Sequence, residues 1–95
     1  MSIHVIVHFQ ALPASAATLA AMLGQAKEHL PAVPGCQGAS LFRQADDEAA
    51  FTLVETWDSR ESHAAHLEGV VASGAWASLA AHLACDPSSN YHKGL

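Results

Sequence analysis

Between residues 51 and 57 the side chains alternate. Phe51, Leu53, Glu55 and Trp57 fall on one side, and Thr52, Val54 and Thr56 on the other. Period two over a run rich in β-branched and aromatic residues is a strand signal. The run passes directly into Asp58-Ser59-Arg60-Glu61, which has capping-box spacing, with Asp58 as the cap and Glu61 reaching back. A strand must therefore feed straight into a helix. That helix is predicted to run to about Glu68, where Gly69 closes it.

The rest of the chain arranges itself around this unit. Ile3, Val5, Val7 and Phe9 alternate with His4, Ile6, His8 and Gln10, which predicts a first strand with apolar side chains on both faces. Leu12-Pro13-Ala14 breaks it, and Ser15 is placed to cap the next element. Leu19, Met22, Leu23, Ala26 and Leu30 follow at helical spacing, up to Pro31 and Pro34. Gly35 and Gly38 flank Cys36 in the turn-out. Residues 39 to 44 read as a second strand, joined to the 50–57 strand through the polar turn Ala45-Asp46-Asp47-Glu48 as an antiparallel hairpin. Val71, Ala75, Trp76, Leu79, Ala80 and Leu83 make another helical stripe, stopped by Asp86-Pro87. Ser88 to Lys93 reads as a short last strand.

The order β-α-β-β-α(α)-β is the ferredoxin-like arrangement, an α+β fold with a four-stranded antiparallel sheet and helices on one face. The 95 residues make a single domain. A chain of this length buries only roughly 60–65% of its unfolded surface. The helix-free face of the sheet also carries apolar and His side chains, so a homodimer packed through that face is expected.

Charge and cysteine content exclude several classes. Four Lys and Arg stand against nine Asp and Glu, for a net charge of −5, and no basic run interleaves with aromatics. No nucleic acid partner is expected. No apolar run approaches the ~20 residues of a membrane span, and Met-Ser-Ile-His-Val-Ile-Val-His lacks the features of a signal peptide. A cytoplasmic location follows, in which Cys36 and Cys85 stay as thiols that pack like small hydrophobes.

Seven histidines are many for 95 residues. His63 and His66 lie at i and i+3, on one helix face. Glu55 and Trp57 project together from the strand just before them. One reading of this cluster is a His66–Glu55 hydrogen bond that merely latches helix to strand. Trp57 and Trp76 are candidate pocket walls as well as candidate core. His4 and His8 share a strand face. Either they belong to a subunit interface or His8 reaches the pocket, as His63 would from the helix. His29, His82 and His92 read as surface residues. A metal bound by His63, His66 and a strand His is the weaker reading, because His-x-x-His is a common coincidence. No metal is assigned.

Pro34-Gly35-Cys36, then Phe51-x-Leu53-x-Glu55-x-Trp57, then Ser59 and Ala65-His66-Leu67 form an ordered set. With Val5-Ile6-Val7-His8-Phe9 and Pro13, this set resembles the antibiotic biosynthesis monooxygenase family, quinol-monooxygenase-like, from Ile3 to about Leu83. The resemblance implies ferredoxin-like dimers with sheets face to face, a dimeric α/β barrel. It implies oxidation of a quinol, anthrone or similar small aromatic phenol by O2, without metal or flavin. It also implies a site near Trp57 in which His66 is the proton acceptor or anion stabiliser, with Glu55 beside it. Haem-degrading relatives have Asn late in the first strand, Trp at the place of His66 and His at the place of Trp76. This chain has Val7, His66 and Trp76 there, which argues against haem, so no cofactor is expected. Two other readings are a dimer that binds a small ligand without turnover, and an isomerase or stress-response protein of the same fold.

Overall fold

A computed structural model describes residues 2–95 of the chain. Its elements are β1 (Ile3–Gln10), α1 (Ala16–His29), β2 (Cys36–Arg43), β3 (Ala50–Trp57), α2 (Arg60–Ala72), α3 (Ala75–Ala80) and β4 (Ser88–His92), with single 3₁₀ turns before and after α1. The four strands form an antiparallel sheet in the order β2-β3-β1-β4. This is the expected ferredoxin-like α+β topology, with the helices on one face.

Register explains the core. β1 and β3 pair Val5 with Glu55, Val7 with Leu53 and Phe9 with Phe51, so the inward sets predicted for the two strands share one face. Along β3 buried and half-buried residues alternate without a break. Leu19 and Leu23 of α1, with Leu30 just beyond it, close over Val5, Phe9, Phe51, Leu53 and Trp57. The other face presents His4, Ile6 and His8 beside Thr52, Val54 and Thr56. Nδ1 of His4 shares a hydrogen bond with Thr56 (3.0 Å), and Nδ1 of His8 one with Thr52 (2.9 Å).

Five local expectations are corrected. The cap of α2 is Ser59, not Asp58: its Oγ accepts the Ser62 N–H at 3.2 Å, while exposed Asp58 accepts from the Ser59 hydroxyl. α2 runs through Gly69 to Ala72, and the break comes at Gly74, whose φ of 84° only glycine adopts freely. The stripe after it stays helical for only six residues, because the following segment is drawn to the end of β1. There Leu12 N–H donates to His82 O, and Ala84 N–H to Gln10 O. Half-buried His82 also bonds the Ser15 hydroxyl through Nδ1 (3.1 Å), so Ser15 ties that segment down rather than capping α1. Finally, β2 begins at Cys36, which pairs with Trp57 across a bulge before Gly38.

Gly35 is the residue that lets β2 begin there. Its φ is 88°, and a Cβ at this position would sit 2.5 Å from the Ser62 side chain. Its carbonyl accepts the Asp58 N–H at 2.8 Å. The strand start and the helix start are thus pressed together where only a glycine fits.

Candidate functional site

The β3–α2 junction gathers the candidate residues. Period two aims Glu55 and Trp57 at the helices. The tight link through Asp58 and Ser59 then lays the first turns of α2 back over the strand end. His63 and His66, one turn apart, both meet the Trp57 indole, with ring centroids 5.5 and 5.3 Å away.

Beside them lies a cavity of about 620 Å³ between the sheet and the helices, within the usual size for a small-molecule site. Val7, Phe9 and Leu53 form its floor. Leu23, Ala26 and Leu30 come from α1 and its end, and Val70, Trp76 and Leu79 from α2 and α3. Leu67 and Val71 line it while exposed to solvent, which marks a mouth. Its polar lining is Glu55, His63 and His66, with Gln25, His29 and Ser89.

Trp57 lies fully buried behind this wall, and its Nε1–H donates to Glu55 Oε1 at 2.8 Å. His63 Nε2 faces the same oxygen at 3.9 Å, too far for a hydrogen bond. On its other side, His63 Nδ1 shares a 2.8 Å hydrogen bond with the Tyr91 hydroxyl of β4. Arg60 stacks its guanidinium on the outside of the Tyr91 ring, 4.8 Å from the centroid. Glu55 and His63 are the buried polar residues of the described chain, at 7% and 4% exposure.

Burial governs their ionisation. It pushes the Glu55 carboxyl up, against the indole N–H that favours the anion. It pulls His63 down, helped by neighbouring His66, and pulls His66 down as well. Glu55 and His63 are therefore not a charged pair held by attraction; burial draws both toward neutrality. The His66 ring makes no side-chain hydrogen bond among the described residues, so its nitrogens are open to a ligand.

Of the predicted site residues, Glu55, His63, His66 and Trp76 line the cavity. Trp57 supports it from behind. His8 does not reach it, because alternation turns His8 to the opposite face of β1. The imagined His66–Glu55 latch is also redistributed: His63 faces Glu55, and His66 is left to the cavity. Tyr91 joins the site with no sequence signal beyond register, since pairing with Val5 turns it to the helix side. No group of three or more His, Cys, Asp or Glu among the described residues is arranged to hold a metal, and no helix is long and apolar enough to cross a membrane.

The family profile described as antibiotic biosynthesis monooxygenase matches residues 2–93. The chain belongs to this family. Comparison with curated proteins gives no match. Among solved structures, Rv0793 from Mycobacterium tuberculosis superposes with a TM-score of 0.86 at 22% identity, over 100% of this chain and 96% of its own. PA3566 from Pseudomonas aeruginosa gives 0.86 at 19% identity, over 99% and 94%. SnoaB from Streptomyces nogalater, a cofactor-independent oxygenase, gives 0.82 at 12% identity, over 98% and 92%. At these identities the likeness establishes the fold that this monooxygenase-family chain shares with them.

Proposed function

We propose that the protein is a cofactor-independent monooxygenase. It oxidises a quinol, anthrone or similar phenolic compound with O2 and works as a cytoplasmic homodimer. The observation that carries this reading is the apolar cavity of about 620 Å³ with Glu55, His63 and His66 on one wall. Family membership and the oxygenase SnoaB among its structural neighbours support it.

An electron-rich carbon acid needs little from a protein to react with O2: an apolar pocket, a base and a way to return the proton. For an anthrone AH2, neutral His66 takes the first proton, leaving the carbanion AH⁻. The carbanion passes one electron to O2, and the radical pair couples to a C–O–O⁻ peroxide, which His66-H⁺ protonates. Glu55 in its ionised form, which the Trp57 N–H favours against burial, then removes the remaining C–H proton as the O–O bond breaks. The departing hydroxide takes that proton as water. The sum is AH2 + O2 → A=O + H2O. Burial holds His66 in the proton-accepting form near neutral pH.

The test is aerobic incubation with a panel of quinols and anthrones, following quinone absorbance and oxygen uptake. His66→Ala is expected to lower the rate by about 100-fold or more. A wild-type rate no better than buffer across the panel, or an unchanged rate in His66→Ala, sinks the reading. Ligand-induced thermal stabilisation without oxygen uptake would point to a binding protein instead.

A further inference from the structure

We propose that Tyr91 is a positioning residue that selects the tautomer of His63, so that an imidazole N–H rather than a lone pair faces the Glu55 carboxyl from the cavity wall.

The geometry carries the proposal. His63 is buried, and its two nitrogens have different neighbours: Nδ1 meets the Tyr91 hydroxyl at 2.8 Å, and Nε2 meets Glu55 Oε1 at 3.9 Å. A neutral imidazole carries one proton, and the partner of one nitrogen decides where it sits. A phenol hydroxyl can play either part. Here the Arg60 guanidinium lies over the ring, and positive charge beside a phenol makes its O–H the better donor. Tyr91 then donates to Nδ1 and the proton stays on Nε2, opposite Glu55. Glu55 Oε1 already receives the Trp57 N–H at 2.8 Å. Two ring N–H dipoles thus converge on a carboxyl that burial pushes the other way.

Without the Tyr91 hydroxyl, Nδ1 loses its donor and the imidazole is free to turn a lone pair toward Glu55. A lone pair repels the carboxylate and welcomes the acid, so Glu55 would hold its proton to higher pH. The other groups around this centre are the His66 ring on α2, the Cys36 thiol on β2 and Arg60 outside Tyr91. From α1, His29 lines the same cavity. None of them replaces a lost hydrogen bond at His63 Nδ1. The consequence for turnover rests on the oxygenase reading, in which ionised Glu55 takes the second proton; the tautomer itself does not.

The deciding experiment compares wild type, Tyr91→Phe, His63→Gln and the double variant. Imidazole ¹⁵N shifts give the His63 tautomer, and carboxyl ¹³C shifts give the Glu55 titration midpoint. Wild type is expected to carry the His63 proton on Nε2. Tyr91→Phe is expected to populate the other tautomer and raise the Glu55 midpoint by about one pH unit. In the His63→Gln background, where there is no tautomer to select, Tyr91→Phe should leave the midpoint in place. A wild-type proton on Nδ1, or an equal Glu55 midpoint in wild type and Tyr91→Phe, overturns the proposal. If a substrate is turned over, the acid limb of its kcat/KM profile moves up with the midpoint in Tyr91→Phe. If none is, the oxygenase reading falls while the spectra still decide the role of Tyr91.

Discussion

Glu55 and His63 tie stability to pH in opposite senses. His63 and His66 titrate below their ordinary value of 6.5 in the folded chain. Between the lowered values and 6.5 the unfolded chain binds more protons, so stability is complete above about 6.5 and is lost as pH falls through that window. Glu55 is raised above 4.5. There the folded chain binds more protons, so its contribution is full below 4.5 and declines as pH rises through the raised value. Melting curves from pH 4 to 8 should separate the two. His63→Gln is expected to flatten the loss of stability on acidification from pH 7. Glu55→Gln, which keeps an acceptor for the Trp57 N–H, should melt higher than wild type at pH 8 and show no such advantage at pH 4. An acid limb in His63→Gln as steep as in wild type, or a Glu55→Gln protein that gains nothing at pH 8, contradicts the assignment. Residue identity alone could not distribute these roles. His63 and His66 share one helix face, and they are told apart by Tyr91, which arrives from a strand 28 residues away along the chain.

The elements that were legible in the sequence are those whose period their own residues set. β3 matches its predicted span because large inward-facing side chains alternate with β-branched ones along it, and α1 because its apolar stripe ends at prolines. Boundaries decided by a distant partner were not legible. α3 is cut short where its successor residues bond to the end of β1, and β4 (Ser-Ser-Asn-Tyr-His) has no apolar alternation to declare its register. The β3–α2 junction depends on Gly35 and Ser59, and each supports a prediction. Gly35→Ala forces a side chain into the left-handed region and against Ser62, which should cost about 2 kcal/mol or more and lower the melting temperature by about 10 °C. Ser59→Ala removes the cap of α2 and should cost about 1 kcal/mol. Asp58→Ala, by contrast, should change the melting temperature little, because Asp58 does not cap the helix. A larger loss in Asp58→Ala than in Ser59→Ala would restore the capping box first read from the sequence.

At the scale of the whole molecule, the helices cover one face of the sheet and leave the other to Ile6, Val54, His4, His8 and the threonines that bind them. At the β2 edge Phe42 is 58% exposed. A 95-residue chain gains little from its own core alone, and a second copy on this face would bury Ile6 and Val54, which lie opposite each other at the centre of the β1–β3 pair. Wild type is therefore expected to run as a dimer in light scattering at micromolar concentration. Ile6→Glu places an unpaired carboxylate at the middle of that face, where desolvation is costly, and should give a monomer with a lower melting temperature. Asp46→Lys, in the exposed β2–β3 turn, makes a larger charge change away from that face and should leave the dimer intact. A monomeric wild type, or a dimer that survives Ile6→Glu, would mean that the outer sheet face is not the interface.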